Sequence, residues 1–238
     1  MLLSSVRGCD ATGFAAINSN TNKVILSKAA KDPIYFRQTM DKKMEDVLSN
    51  PVNNAFLGHN RWSTRGKTGG EGAQPFTESG IVGTHNGTIE SYNMNGYHTD
   101  SHELISNIAF GGVKPTIDKL TDKDSYAIVY YDTYKREIVF TRNRFRPLHF
   151  AINPKRSVLY YASEPGLLYA ALWRRDIDID EPYSFNSDYI YTIDPARVKG
   201  KDGKLVYRAT AKSNVVVPKT EPETKTSEVT NDTPPFDV

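Results

Sequence analysis

The apolar run Ala55-Phe56-Leu57 leads straight into Gly58-His59-Asn60-Arg61-Trp62-Ser63-Thr64-Arg65-Gly66, and Gly69-Gly70 follow inside a long polar loop. A short apolar run that stops in glycine and polar residues reads as a strand. This one delivers an arginine and a tryptophan to the mouth of a site. A second stretch answers it: Gly80-Ile81-Val82-Gly83-Thr84-His85-Asn86-Gly87-Thr88-Ile89, where an apolar strand again runs into a polar tip. A fold for this chain has to present both strand ends.

The 238 residues suffice for one domain with a substantial core. Hydrophobic residues at 38% and charged residues at 24% fit a globular protein rather than a disordered or membrane one. A formal net charge of +2 is too small to imply a nucleic-acid surface. No apolar run reaches the length of a membrane span, and Met1-Leu2-Leu3 is too short for a signal-peptide core. The single cysteine, Cys9, excludes an internal disulfide framework and fits a reducing compartment. The expectation is a cytoplasmic protein with neither a nucleic-acid nor a membrane partner.

Taken in order, residues 1–6 read as the last turns of a helix. Gly13 to Ser19 and Lys23 to Lys28 read as a hairpin about the polar turn 18–22. Asp32-Pro33 starts a helix that Phe36, Met40, Met44, Val47 and Leu48 continue at helical spacing to Asn50-Pro51. Strands follow at Asn54 to Asn60 and Ile81 to His85, separated by a loop over 63–79. Asp100 opens a helix as its N-cap, with Glu103 in the capping-box position, and Gly111-Gly112 end it; a short helix follows Pro115. From Ser125 the texture turns to strands: Tyr126 to Asp132, Glu137 to Arg142, Leu148 to Asn153 and Ser157 to Ala162. A helix follows over Gly166 to Trp173, then late strands at Tyr189 to Ile193 and Lys204 to Ala209. Residues 217–238, rich in Pro, Thr, Glu and Lys, read as a disordered tail behind a domain over 1–216. The element order suggests layered α+β packing.

Together, Gly58 to Gly66, the Ala73-Gln74-Pro75-Phe76 run and Gly83-Thr84-His85-Asn86-Gly87-Thr88-Ile89 resemble the signature of class II glutamine amidotransferases, the N-terminal-nucleophile glutaminase domains. Arg7-Gly8-Cys9-Asp10 is similar to that family's RG-x-D element. Arg142 to Leu148 with Ala162-Ser163-Glu164 is similar to its PL…ASE stretch. The resemblance covers residues 1 to about 173. It implies a four-layer α/β/β/α sandwich of two antiparallel sheets, here missing its first strand, and glutamine as the ligand. It also implies no cofactor, and an ammonia acceptor carried by a separate subunit. Stand-alone domains of this kind occur in bacterial and bacteriophage genomes.

Hydrolysing the glutamine amide is acyl transfer, which needs a nucleophile, a base, an oxyanion hole and a clamp for the amino-acid end. A planar guanidinium matches a carboxylate with two parallel hydrogen bonds, so the resemblance gives Arg61 the substrate α-carboxylate; the bland alternative is a structural ion pair. It gives Asn86 and Gly87 the oxyanion hole, although Asn-Gly is also a strong hairpin-turn signal. Asp100 takes the substrate ammonium, although an N-cap alone explains it. Trp62 and Thr64 line the pocket, Arg7 and Asp10 hold the loop beneath it, and His59 and His85 support it through hydrogen bonds. His98 and His102 need not share a face, and no further Cys or His set completes a metal site, so no metal is expected. Gln74, Phe76 and Arg65 stand where the family often has histidine.

The family's nucleophile is a cysteine at the head of the mature chain, with its own α-amine as base. Cys9 stands at the variable position of RG-x-D and reads as a small buried cysteine, not the nucleophile. The sequence begins inside the helix that precedes RG-x-D. The expectation is therefore an amidotransferase domain with a late start, inactive as written, with an open sheet edge that invites homo-oligomers. The competing expectations are an amino-acid-binding module without chemistry and a subunit that keeps only the fold.

Overall fold

The computed structural model describes residues 8–40, 42–66, 69–153, 155, 157–198, 204–212 and 236–237. Arg7, the helix end expected over 1–6 and most of the expected tail lie outside them.

The strands in chain order are β1 (Ala11–Asn18), β2 (Lys23–Ala29), β3 (Ala55–Arg61), β4 (Phe76–Glu78), β5 (Ile81–Thr88), β6 (Ser125–Asp132), β7 (Glu137–Arg142), β8 (His149–Asn153), β9 (Val158–Ala162), β10 (Tyr183–Phe185), β11 (Tyr189–Ile193), β12 (Arg208–Ala211) and β13 (Phe236–Asp237). The helices are α1 (Pro33–Gln38), α2 (Lys42–Ser49), α3 (Asp100–Gly111), α4 (Val113–Ile117) and α5 (Pro165–Trp173). All strand pairings are antiparallel. One sheet has six strands in the order β12-β11-β7-β6-β5-β4. Opposite it lie a three-stranded sheet, β2-β1-β3, and a four-stranded sheet, β13-β10-β8-β9.

Alternation along the strands builds the layers. In β6, Ala127, Val129 and Tyr131 enter the central core, while Tyr126, Ile128 and Tyr130 pack toward Leu104, Ile105 and Ile108 of α3. In β1, Ala15 and Ile17 join the central core, while Phe14 and Ala16 meet Phe36 of α1 and Met44 and Val47 of α2. Ala151 of β8 packs on Leu168 and Leu172 of α5. The result is helix, sheet, sheet, helix. The second sheet layer is split, which qualifies the expected pair of sheets: β3 and β9 are both edge strands, and no strand among the described residues joins them.

Three local expectations are corrected. The helix expected from Pro33 to Leu48 is two helices. Asp32 Oδ1 caps α1 by accepting from the Ile34 and Tyr35 amides, but Thr39 ends it with its hydroxyl on the Phe36 carbonyl at 3.1 Å. The apolar spacing nevertheless carries across the break, because Phe36, Met40 and Met44 share one cluster. The N-cap of α3 is Thr99, whose side chain accepts from the His102 amide at 3.0 Å; Asp100 is the first helical residue, and Glu103 bonds the Met94 amide instead of closing a capping box. Cys9 is exposed, not buried.

Candidate active site

Two strands aim polar residues into the space between the sheet layers. In β3, Ala55 and Leu57 belong to the central core, and strand alternation puts His59 and Arg61 on that same face. In β5, Val82 is in the core, and Thr84 and Asn86 share its face. Arg61 and Asn86 thus come to one cavity of about 960 Å3, together with Trp62, Thr64, Gly87 and Asp100. All of β3 except Leu57 and all of β9 line it, so the cavity occupies the split in the second layer.

Asn86-Gly87 is not a turn. Both lie inside β5, opposite Ala127 and Tyr126 of β6, which removes the hairpin alternative. Gly87 has φ +153°, and a Cβ there would lie 1.9 Å from the Ser125 carbonyl oxygen. Glycine is required because the backbone must close on β6 in a conformation that side chains rarely adopt. The adjoining Thr88 amide donates to Ser125 Oγ at 3.2 Å.

Arg61 is 5% exposed and donates from Nη2 to the Arg65 carbonyl at 2.8 Å. Burial pulls its pKa down, and the carboxylates of Asp100 and Asp10 oppose that pull. Asp100 is 3% exposed and accepts from the Ile89 amide at 2.8 Å. Asp10 ties the loop beneath: its amide donates to the Arg61 carbonyl, and its Oδ2 accepts from the Ser63 amide at 2.7 Å. Thr64 and Thr88 hydroxyls lie 3.4 Å apart, and Trp62 stands exposed at the rim.

Of the two motif histidines, His85 is buried and His59 half-buried. His85 contacts Ser101 Oγ through Nδ1 at 2.9 Å and the Ser125 carbonyl through Nε2 at 3.3 Å. Burial lowers its pKa despite the Asp100 charge. His59 is pushed down to about 3, by burial first and then by the charges of His85 and Arg61. Neutral imidazoles held this way shape the wall.

Several wall residues make hydrogen bonds that the sequence does not show. Gln74 brackets the His85 backbone, with Nε2 on its carbonyl at 3.0 Å and Oε1 accepting its amide at 2.7 Å. Arg65 donates to the Ile89 and Tyr92 carbonyls and so fixes the segment after β5. Ser125 opens β6 and gathers Thr88, His85 and Arg146. Their partners are all distant in sequence, so only the fold reveals them.

Comparison with known proteins narrows the fold. No family model matches the chain. Over 86 residues it is 31% identical to the glutamine–fructose-6-phosphate aminotransferase (isomerizing) of Wigglesworthia glossinidia brevipalpis, a match over 36% of this chain and 13% of that protein. The structure superposes on glutamine phosphoribosylpyrophosphate amidotransferase from B. subtilis, complexed with ADP and GMP. The TM-score is 0.56 at 16% identity, covering 90% of this chain and 46% of that one. It also superposes on the allosteric regulatory enzyme of purine biosynthesis, with a TM-score of 0.60 at 15% identity, covering 88% and 44%. The fold of this chain is like that of these two amidotransferase-type structures. At these identities the structural likeness is one of fold, and the chain spans less than half of each solved relative.

Two positions where the resembled family often has histidine have local partners. Phe76 stacks on His102 at 4.8 Å between ring centroids, and Arg65 holds the carbonyls already described. His98 and His102 do share a face, stacked at 5.6 Å, which corrects the expectation from the helix start. Each instead meets a carboxylate, Glu71 at 3.2 Å and Glu78 at 2.8 Å, and no group of metal-ligand type with three or more members occurs among the described residues. No helix among the described residues is long and apolar enough to cross a membrane.

Proposed function

We propose that this domain binds glutamine and serves side-chain amide transfer. Arg61 takes the α-carboxylate, Asp100 the α-ammonium, and the Asn86 side chain with the Gly87 amide the γ-carbonyl oxygen. One observation carries the reading: two nearly fully buried groups of opposite charge, Arg61 and Asp100, line the same cavity as Asn86 and Gly87. A zwitterion read at both ends offers a carboxylate to the guanidinium and an ammonium to the carboxylate.

The nucleophile in this proposal is a cysteine at the head of a strand seated between β3 and β9. Among the described residues β3 and β9 are both sheet edges and both line the cavity, and a sheet edge is what such a strand adds to. Its thiolate attacks the amide carbon, and the oxygen charge develops against Asn86 and Gly87. The α-amine that took the thiol's proton gives it to the leaving nitrogen, which departs as ammonia, and water then releases glutamate from the thioester. The ammonia passes to an acceptor on another subunit. A second reading, a binding module without chemistry, is favoured by Cys9: the chain's one cysteine is not among the residues lining the cavity.

Ammonia release from glutamine separates the two. The 238-residue chain should release none above buffer, and a chain extended upstream by a strand that begins with cysteine should turn over. Turnover by the 238-residue chain that survives Cys9→Ala contradicts the proposed nucleophile. An extended, folded chain that binds glutamine but releases no ammonia favours the binding module.

A further inference from the structure

The cavity wall carries a guanidinium that the clamp does not use. After β7, Asn143 pins the turn to the start of β6. Its Nδ2 donates to the Asp124 carbonyl at 2.8 Å, and its Oδ1 accepts from the Tyr126 and Phe145 amides, each at 3.2 Å. The turn brings half-buried Arg146 into the cavity wall, where its Nε donates to Ser125 Oγ at 3.1 Å. The same hydroxyl accepts from the Thr88 amide, so one side-chain oxygen separates Arg146 from the strand that carries Asn86 and Gly87. Its charge also reaches His85 and helps keep that imidazole neutral. Among the described residues Nη1 and Nη2 have no hydrogen-bond partner, so the two-pronged end of the fork is unspent.

Charge balance says what this fork suits. Three guanidinium groups line the cavity, those of Arg61, Arg65 and Arg146, against one carboxylate, Asp100. Arg65 is occupied by the Ile89 and Tyr92 carbonyls. A glutamine zwitterion brings one charge of each sign, which Arg61 and Asp100 absorb, and Arg146 stays unbalanced beside the amide end. A half-buried cation there favours a ligand whose side chain ends in an anion, and a planar fork matches a carboxylate with two parallel bonds. Resting on the amidotransferase reading above, we infer that Arg146 is an anion contact at the side-chain end of the glutamine site, which takes the γ-carboxylate of glutamate and sets the balance between amide substrate and acid product.

The test is calorimetric titration of the full chain with glutamine and with glutamate, in parallel for Arg146→Gln and Arg146→Lys. The parent should bind glutamate at least as tightly as glutamine. Arg146→Gln should lower glutamate affinity about tenfold or more and glutamine affinity less than about threefold. Arg146→Lys should keep part of the glutamate preference, because it keeps the charge and loses the fork. An equal loss for both ligands in Arg146→Gln makes the residue merely structural and overturns the inference, as does no change for either. Those failures leave the glutamine site standing. A parent that binds neither ligand removes the glutamine reading and this inference together.

Discussion

Two regions of the molecule each bury an aspartate, and they treat it differently. In the turn before β6, Asp124 is fully buried and accepts four hydrogen bonds, from the amide and hydroxyl of Ser91 at 2.9 and 2.8 Å and from those of Thr121 at 2.6 and 2.9 Å. In the first turn of α3, Asp100 is as well hidden from solvent but accepts from the Ile89 amide, lines the cavity and shares its field with Arg61. A carboxylate has about four lone-pair sites. Asp124 accepts from protein at both oxygens, once at Oδ1 and three times at Oδ2, and holds a loop to the sheet. Asp100 keeps acceptor capacity beside an open space, which is what a ligand ammonium needs. The number of protein donors, more than burial, separates the carboxylate that holds a loop from the one that faces the cavity.

Gly87 should break that contrast most sharply, since it is a site residue whose loss acts on the fold. Gly87→Ala puts a Cβ into the Ser125 carbonyl at a backbone angle that alanine resists. Urea unfolding should show a loss of about 4 kcal/mol or no folded protein. Asp124→Ala comes next, because it removes the four hydrogen bonds by which Ser91 and Thr121 are held to a buried carboxylate. Stability should fall by about 3 kcal/mol while glutamine affinity of the folded fraction stays within about threefold.

The same residue gives a pH signature. Burial alone would raise the Asp124 pKa, but the bonds from Thr121 and Ser91 outweigh it and hold it below the usual 3.8. A depressed carboxylate contributes stability that is present above its unfolded pKa and is lost as pH falls through its lower folded pKa. Parent stability should therefore decline in acid below about pH 4, and the decline should be shallower in Asp124→Asn. Asp100→Asn should have the smallest effect on stability, about 1 kcal/mol or less, because asparagine keeps an acceptor for the Ile89 amide.

Much of the fold was legible in the sequence, since periodicity and turn residues mark β1, β2, β6, β7 and β11 to within a residue or two. The hidden parts have physical reasons. Strands β4 and β10 are three residues each, too short for a period to register. The break after α1 leaves the apolar spacing undisturbed. The α3 cap was misread by one residue because Thr99 and Asp100 are both good caps, and only the backbone decides between them. At the site, Arg61, Asn86, Gly87 and Asp100 stand out through the resemblance to the class II amidotransferase signature. Asn86-Gly87 was ambiguous because turn chemistry and a strained strand glycine use the same residues. Ser125 and Arg146 are ordinary residues until β5, β6 and the loop after β7 meet.

The central claim is that the cavity reads both charged ends of a free amino acid. Calorimetry with glutamine and with N-acetylglutamine, which lacks the ammonium, tests it on the parent, Arg61→Ala and Asp100→Asn. The claim predicts that the parent binds glutamine and that each variant loses roughly 30-fold or more. It also predicts that N-acetylglutamine binds the parent and Asp100→Asn alike, because the group that Asp100 would meet is already gone. Glutamine binding with equal affinity to the parent and to Asp100→Asn contradicts the account.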